Sequence, residues 1–155
     1  MSDKCKPFNH LLKKGVKFEW IEECQEAFDQ IKKYLLSPPV LIPPKPSKPF
    51  HLYISATNVA IGTMLAQKND MNKEQAIYYI SRTLVDYEIC YVHIEKLCLA
   101  IVFATHKLRH YMMNHKTYVV ARQDPLRYMM SHAYINFRTS KWIMLLTEYD
   151  LEFMS

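Results

Sequence analysis

Glycine is scarce in this chain, with only two among 155 residues. Loop-rich and low-complexity proteins contain far more glycine, so the scarcity favours regular secondary structure. The four cysteines form no CxxC pair, which argues against a zinc site and predicts buried free thiols in a reducing compartment; they are Cys5, Cys24, Cys90 and Cys98. No apolar run approaches the roughly 18 residues of a membrane-spanning helix, and there is no signal peptide. We therefore expect an intracellular protein, cytoplasmic or nuclear, with no membrane partner.

Hydrophobic residues make up half of the chain, which is enough for one ordinary domain with a short appendage. The formal net charge is +5. A positive charge favours contact with a polyanion, but many basic proteins bind no nucleic acid. Charge alone therefore leaves the partner open.

The first third of the sequence predicts a helical appendage followed by a stiff linker. Apolar residues at three- and four-residue spacing predict a helix over about residues 21–36. Its acidic residues come early and its lysines late, which suits the helix dipole. Six of the eight prolines then fall within residues 38–49 and predict an extended linker. We place the boundary so that residues 1–45 form the appendage and residues 46–155 the main domain.

Alternating and helical patterns in the main domain predict the order βββαβααβ. The predicted strands cover residues 50–56, 60–68, 75–81, 118–121 and 151–153. The predicted helices cover 91–113, a short segment that starts at Pro125 with Asp124 as its cap, and 139–149. A strand–helix–strand crossover after an antiparallel meander implies an α/β fold, with a mixed sheet and helices packed on it.

Several motifs in a fixed order resemble one family along nearly the whole chain. They are FEW at 18–20, ECQEAF at 23–28, LSPPVL at 36–41, AIYYISR at 76–82, LAIVFA at 99–104, KLRHY at 107–111, DPLRY at 124–128 and LTEYD at 146–150. These stretches resemble the RNase H-like region of gypsy-type retrotransposon reverse transcriptases, and their sequences are most similar to those of plant elements. The resemblance implies a five-stranded RNase H-like fold that is truncated at its C-terminal end. It also implies a thumb-side tail over residues 1–45, and a parent Pol polyprotein that assembles into virus-like particles.

The same resemblance implies that the catalytic acids are missing. Active members of the family cleave RNA with two Mg²⁺ ions held by carboxylates on the first strand, on the long helix and after the fourth strand. Ser55, Leu97 and Arg122 stand at those three positions. A hydroxyl, an isobutyl group and a guanidinium cannot hold two divalent cations, so we expect no intact catalytic residues, no metal site and no cofactor.

No other residues in the sequence form a replacement site. Asp124 is better explained as a helix cap and Glu95 as a solvated or salt-bridged residue that faces away from Leu97, while Asp86 and Glu88 lie in a connector. The three histidines of the basic segment are expected at the surface rather than on a metal; they are His106, His110 and His115. Trp20 and Trp142 are expected in the core rather than as stacking platforms for bases.

Three functions remain open from the sequence. The first is a catalytically degenerate connection module that contacts an RNA–DNA hybrid or template–primer duplex. Its phosphate contacts would be Lys107, Arg109, His110, Lys116, Arg122 and Arg127. The second is RNA–DNA hybrid ribonuclease or reverse transcriptase activity inherited from the parent polyprotein, and the third is a retroelement remnant expressed alone.

Overall fold

The fold is described by a computed structural model that covers residues 7, 11, 12, 14–36, 41–132 and 137–155. Helix α1 spans Glu22–Leu35, with glutamates in its first turn and lysines in its last. Negative charge at the start of a helix and positive charge at its end both interact favourably with the helix dipole. The helix agrees with the span predicted from periodicity, whereas Cys5 lies outside the described residues.

One five-stranded sheet forms the centre of the main domain. Its strands are β1 (Phe50–Ala56), β2 (Ala60–Lys68), β3 (Glu74–Thr83), β4 (Thr117–Val120) and β5 (Leu151–Met154). The spatial order is β3-β2-β1-β4-β5, with β1–β2 and β2–β3 antiparallel and β1–β4 and β4–β5 parallel. The predicted mixed sheet is therefore confirmed.

Helices connect the strands and pack on the sheet. They are α2 (Asp86–Ile89), α3 (His93–Lys107), α4 (Arg109–Met112), α5 (Pro125–His132) and α6 (Phe137–Leu146). Helix α3 is the central one, because it packs against β1 and β2 on one side and against α5 and α6 on the other. It is consequently apolar almost all round, with Cys98, Ala100 and Ile101 fully buried. In the part of the chain that the structure describes, no helix is both long and apolar enough to cross a bilayer.

Most element bounds agree with the prediction to within about three residues, and two local features differ from it more clearly. The long helix predicted over 91–113 is interrupted at Leu108, whose φ of −108° and ψ of 22° lie outside the helical region. Leu108 and Met112, at and after the break, both lie in the core, at 2% and 0% exposure. The predicted connector before α3 also contains the short helix α2.

Candidate functional site

Ser55 lies near the carboxyl end of β1, just before a tight turn into β2. The turn is fixed by Thr57, whose hydroxyl accepts hydrogen bonds from the N–H groups of Val59 and Ala60. The Ser55 hydroxyl donates to the carbonyl of Gly62 on β2 at 3.3 Å. A Cβ atom at Gly62 would lie 3.4 Å from this hydroxyl, so the missing side chain leaves Ser55 room on the sheet surface.

Arg122 lies at the same edge of the sheet as Ser55. Tyr53 of β1 pairs with Val120 of β4 in parallel register, and Ser55 and Arg122 each follow two residues later. Neighbouring strands are about 4.8 Å apart, so the register brings these two backbone positions close together. The Arg122 side chain is exposed.

Leu97 is not part of that surface. Its side chain is 3% exposed and belongs to the hydrophobic core, together with Leu52 and Ile54. The neighbouring Lys96 is also buried, and its ammonium group donates to the carbonyl of Asn58 in the β1–β2 turn at 3.2 Å. The helix therefore turns a hydrocarbon and an ammonium toward the sheet, and neither can ligate Mg²⁺.

Glu88 and Asp124, two of the acids considered as replacements from the sequence, have other partners. Glu88 forms a bidentate ion pair with Arg82, with oxygen–nitrogen distances of 2.6 and 2.7 Å. Burial favours a raised pKa for Glu88, but the hydrogen bonds from Arg82 and from the Val85 N–H outweigh it and lower that pKa. Asp124 accepts a bond from the Arg127 N–H at 3.0 Å, as expected for a helix cap. Over the described ranges, no group of three His, Cys, Asp or Glu side chains is arranged to hold a metal ion.

Glu95 has a structural role that the sequence indicated only in part. A salt-bridged Glu95 was one of the two expected states, but its burial was not expected, and it is 8% exposed. One carboxylate oxygen accepts from the Val92 N–H at the start of α3, and the other pairs with Arg138 of α6. The Arg138 guanidinium lies 4.0 Å from the ring centroid of Tyr91 and 5.5 Å from that of Trp142. Residues 43 positions apart gave no sequence signal of this contact.

The six candidate phosphate-contacting residues fall into two groups, one before β4 in the chain and one after it. Lys116 immediately precedes β4 and lies with the exposed Lys107, Arg109 and His110 near the end of α3. Arg122 and Arg127 follow β4. Lys116 and Arg122 are six positions apart on either side of β4, which corresponds to about 20 Å of extended chain. Two of the first group are paired with acids: Arg109 with Glu148 at 3.0 Å and Lys116 with Glu152 at 2.7 Å.

The remaining predicted side chains have mixed outcomes. His106 and His110 are exposed, and His115 is partly buried with its Nδ1 atom 3.0 Å from the Tyr111 carbonyl. Cys24 and Cys98 are buried, and burial raises the pKa of the Cys98 thiol to about 12. The expected burial of Cys90 is wrong, because α2 turns it to solvent.

The two tryptophans also differ from each other. Trp142 is 7% exposed and belongs to the core, as expected. The same expectation is wrong for Trp20, which is 45% exposed. It precedes α1 and lies against Phe28 on the surface of that helix, at 6.1 Å between ring centroids.

Comparison with known proteins decides the family. A family model described as the RNase H-like domain found in reverse transcriptase matches residues 20–119. The chain is also 34% identical over 152 residues to the retrovirus-related Pol polyprotein from transposon 297 of Drosophila melanogaster. This chain belongs to the family of RNase H-like domains found in reverse transcriptases.

Further similarities agree with this RNase H-like domain. A transposon Tf2-3 polyprotein of Schizosaccharomyces pombe is 29% identical over 157 residues. The two matches cover 97% and 94% of this chain but only 14% and 11% of the polyproteins, so the domain corresponds to a small part of those relatives. A foamy viral protease–reverse transcriptase in complex with double-stranded DNA has a TM-score of 0.81 at 17% identity, covering 99% of this chain and 28% of that one. That structural similarity concerns the fold alone.

Proposed function

We propose that this RNase H-like domain is catalytically degenerate and serves as a structural connection module of a retrotransposon reverse transcriptase. The observation that carries the proposal is the set of side chains at the three positions where the family resemblance places metal-binding carboxylates. There, Leu97 is buried in the core, the Ser55 hydroxyl bonds to a backbone carbonyl and Arg122 is exposed at the adjoining strand end.

Arg122 makes cation binding unfavourable in addition to removing a ligand. A unit charge about 4 Å from another costs roughly 1 kcal/mol in water and about 4 kcal/mol at intermediate dielectric, and a divalent ion doubles the cost. The guanidinium cannot lose its proton to avoid this repulsion. The degenerate domain therefore needs no metal cofactor in our proposal, in contrast to its active relatives.

Incubation of the purified chain with an RNA–DNA hybrid and Mg²⁺ or Mn²⁺ tests the loss of catalysis. We expect no cleavage above a metal-free control, since two-metal hydrolysis needs the missing oxygen ligands. A Ser55→Ala variant is the matched control for contaminating nuclease, because any cleavage that survives the substitution unchanged does not arise at this site. Metal-dependent cleavage that Ser55→Ala abolishes would instead favour the second candidate, an active hybrid ribonuclease inherited from the parent polyprotein.

The second part of the proposal is contact with a template–primer duplex. It is supported by the exposed cations that precede and follow β4 and by the net charge of +5. The similar foamy viral enzyme has been solved with double-stranded DNA and with an RNA/DNA hybrid. Fluorescence anisotropy with a labelled hybrid measures this contact. Saturable binding that weakens as salt rises is expected, whereas no binding at low salt would remove this half of the proposal.

The finer placement follows from the motifs quoted above. We propose a gypsy-type element, of the plant-type lineage, in which this domain spaces the polymerase from a downstream nuclease. The remaining Pol segments are then its partners, and the cytoplasm, the nucleus or a virus-like particle is its location. The genomic sequence on either side tests this: an upstream polymerase palm with paired aspartates and a downstream acid-rich RNase H are expected. Their absence would favour a remnant.

A further inference from the structure

The proline-rich residues 42–49, here called the strap, are attached to the sheet along their length. At one end the Ile42 N–H donates to the Ala76 carbonyl of β3 at 3.0 Å. Just past the other end, the Phe50 N–H donates to the Lys116 carbonyl at 2.9 Å. The boundary predicted from sequence, between residues 45 and 46, runs through this segment.

Proline content prevents the strap from joining the sheet as a strand. Pro43, Pro44, Pro46 and Pro49 have no N–H group, so half of its eight residues cannot donate to a ladder. Its backbone carbonyls and the few remaining N–H groups still need partners wherever they are buried. A side chain that both donates and accepts can meet this need.

Gln67 of β2 is that side chain. It is 2% exposed, and its oxygen accepts from the Lys45 N–H at 2.8 Å. Its amide nitrogen donates to the Lys45 carbonyl at 3.0 Å and to the Lys48 carbonyl at 2.8 Å. Both N–H protons and the oxygen of the buried Gln67 amide thus form hydrogen bonds with the strap.

An irregularity in the sheet accompanies this placement of Gln67. The β2–β3 register changes from Leu65↔Tyr78 to Ala66↔Ala76, so one residue of β3 is passed over. Such bulges redirect side chains locally. Leu65, Ala66 and Gln67 are consecutive and all buried, which a regular strand with one solvated face does not allow.

The three hydrogen bonds between Gln67 and the strap are here called the clamp, and a second set of contacts lies outside it. Asp70 pairs with Lys45 at 2.9 Å and with Lys48 at 2.6 Å, but the Asp70 side chain is 75% exposed. Ion pairs in water contribute little because solvent and salt screen them. The buried amide, rather than the exposed carboxylate, is therefore the main attachment.

We infer that Gln67 is a positioning residue that fastens the strap to the sheet and fixes the point at which the preceding polypeptide reaches the RNase H-like domain. The prolines stiffen the segment, and the hydrogen bonds of Gln67 fix its position and orientation on the sheet. This inference does not depend on duplex binding or on the loss of catalysis, because it concerns contacts within the chain alone.

NMR of the ¹⁵N-labelled full chain tests the inference with Gln67→Met, which keeps the side-chain length but removes its donors and acceptor. Losing the hydrogen-bond partner of the Lys45 N–H, which lies in a partly buried contact, should speed hydrogen exchange of that amide by about tenfold or more. Order parameters of Lys45, Ser47 and Lys48 should fall from about 0.85 toward 0.6. Exchange of the Leu52 and Leu65 amides, in the centre of the sheet, should stay slow.

Two matched variants separate the clamp from general effects. Gln123→Met makes the same change at an exposed position, and Asp70→Asn removes only the outer ion pairs; both should leave the Lys45 amide protected. If Gln67→Met folds and leaves Lys45 exchange unchanged, or if Asp70→Asn releases the strap equally, the inference is wrong. The wild-type chain gives an independent test should Gln67→Met fail to fold. Its Gln67 side-chain protons must exchange slowly and show NOEs to Lys45 and Lys48, and fast exchange without those NOEs would overturn the inference.

Discussion

Charged side chains in the interior of this domain form hydrogen bonds and ion pairs with specific partners. Glu95 is the clearest case, because it both caps α3 and pairs with Arg138, which in turn lies over two aromatic rings. A carboxylate at 8% exposure is costly to bury without a counter-charge. The pair therefore connects α6 to α3 only while both partners are present.

Replacement of Arg138 by Met should destabilise the domain by roughly 2–3 kcal/mol, since a mostly buried carboxylate then loses its counter-charge while some solvent access remains. Arg138→Lys should recover only part of the loss, because an ammonium cannot both pair with Glu95 and stack on Tyr91. Urea denaturation measures the free energy of unfolding. Lys141→Met, an exposed position in the same helix, is the control. A loss at Arg138 no larger than at Lys141 would contradict the structural role.

His51 provides a prediction on pH. It is 4% exposed, its ring lies 5.6 Å from that of Tyr118, and its Nδ1 atom has no hydrogen-bond partner among the described residues. Burial lowers its pKa below the usual 6.5, although the charge of Glu74 acts in the opposite direction. Between the folded and unfolded pKa values the unfolded chain binds more protons, so stability is complete above about pH 6.5 and falls as the pH is lowered.

Thermal denaturation between pH 7.5 and 5 measures this effect. We expect the melting temperature to fall with pH and the fall to be smaller in His51→Phe, which cannot be protonated. His106→Phe alters an exposed histidine and should keep the wild-type pH dependence. Identical pH profiles for wild type and His51→Phe would show that His51 is not the group responsible.

Among the helices, α5 depends on a cap that its own sequence supplies. Asp124 accepts a bond from the Arg127 N–H, and Pro125 occupies the first helical position, where a missing N–H costs nothing. Asp124→Ala should lower the free energy of unfolding by about 1 kcal/mol. Asp124→Asn, which keeps the accepting oxygen, should lose less, and Gln123→Ala next to it should have little effect. Chemical denaturation of the three variants checks the order, and equal stability of Asp124→Ala and wild type would exclude the cap.

Some of these elements could be predicted from the sequence, and others could not. The bounds of β1 and β2 were predictable, because alternation and turn residues are local signals. The break of the long helix at Leu108 was not, because Leu108 and Met112 fit a continuous apolar stripe and only tertiary packing separates α3 from α4. Glu95–Arg138 and the Gln67 clamp join residues 43 and about 20 positions apart, and no local pattern encodes such pairs.

The positions of the three residues that replace the family's catalytic acids were also partly predictable. Ser55 and Arg122 could be placed at neighbouring strand ends because the parallel crossover was predicted. Burial of Leu97 was predictable, because apolar residues at three- and four-residue spacing (Ile94, Leu97, Ile101) form one face of the long helix. Exposure of Cys90 and Trp20 was missed, because a small or aromatic apolar residue fits a core equally well and each lies in a peripheral segment.

For the molecule as a whole, the distribution of cations makes a prediction about duplex binding that rests on the proposed function. Lys107, at the end of α3, and Arg127, in α5, are exposed. Arg109 and Lys116 are already paired with Glu148 and Glu152. A cation that leaves an acid to reach a phosphate loses one interaction as it gains another. Lys107 and Arg127 should therefore contribute more to affinity than Arg109 and Lys116.

Salt titrations of hybrid binding distinguish the two classes. Each lost phosphate contact should reduce the slope of log K against log salt by about 0.9, so Lys107→Gln and Arg127→Gln should each show that change. Pro125, at the start of α5, lies beside Cys98, which is nine residues or about 14 Å along α3 from Lys107. The effects of the Lys107 and Arg127 substitutions should therefore add in the double variant. Lys116→Gln should change the slope by clearly less. If every single variant keeps the slope of the wild type, the duplex lies on another surface. If Lys116→Gln changes the slope more than Lys107→Gln does, Glu152 releases Lys116 at little cost.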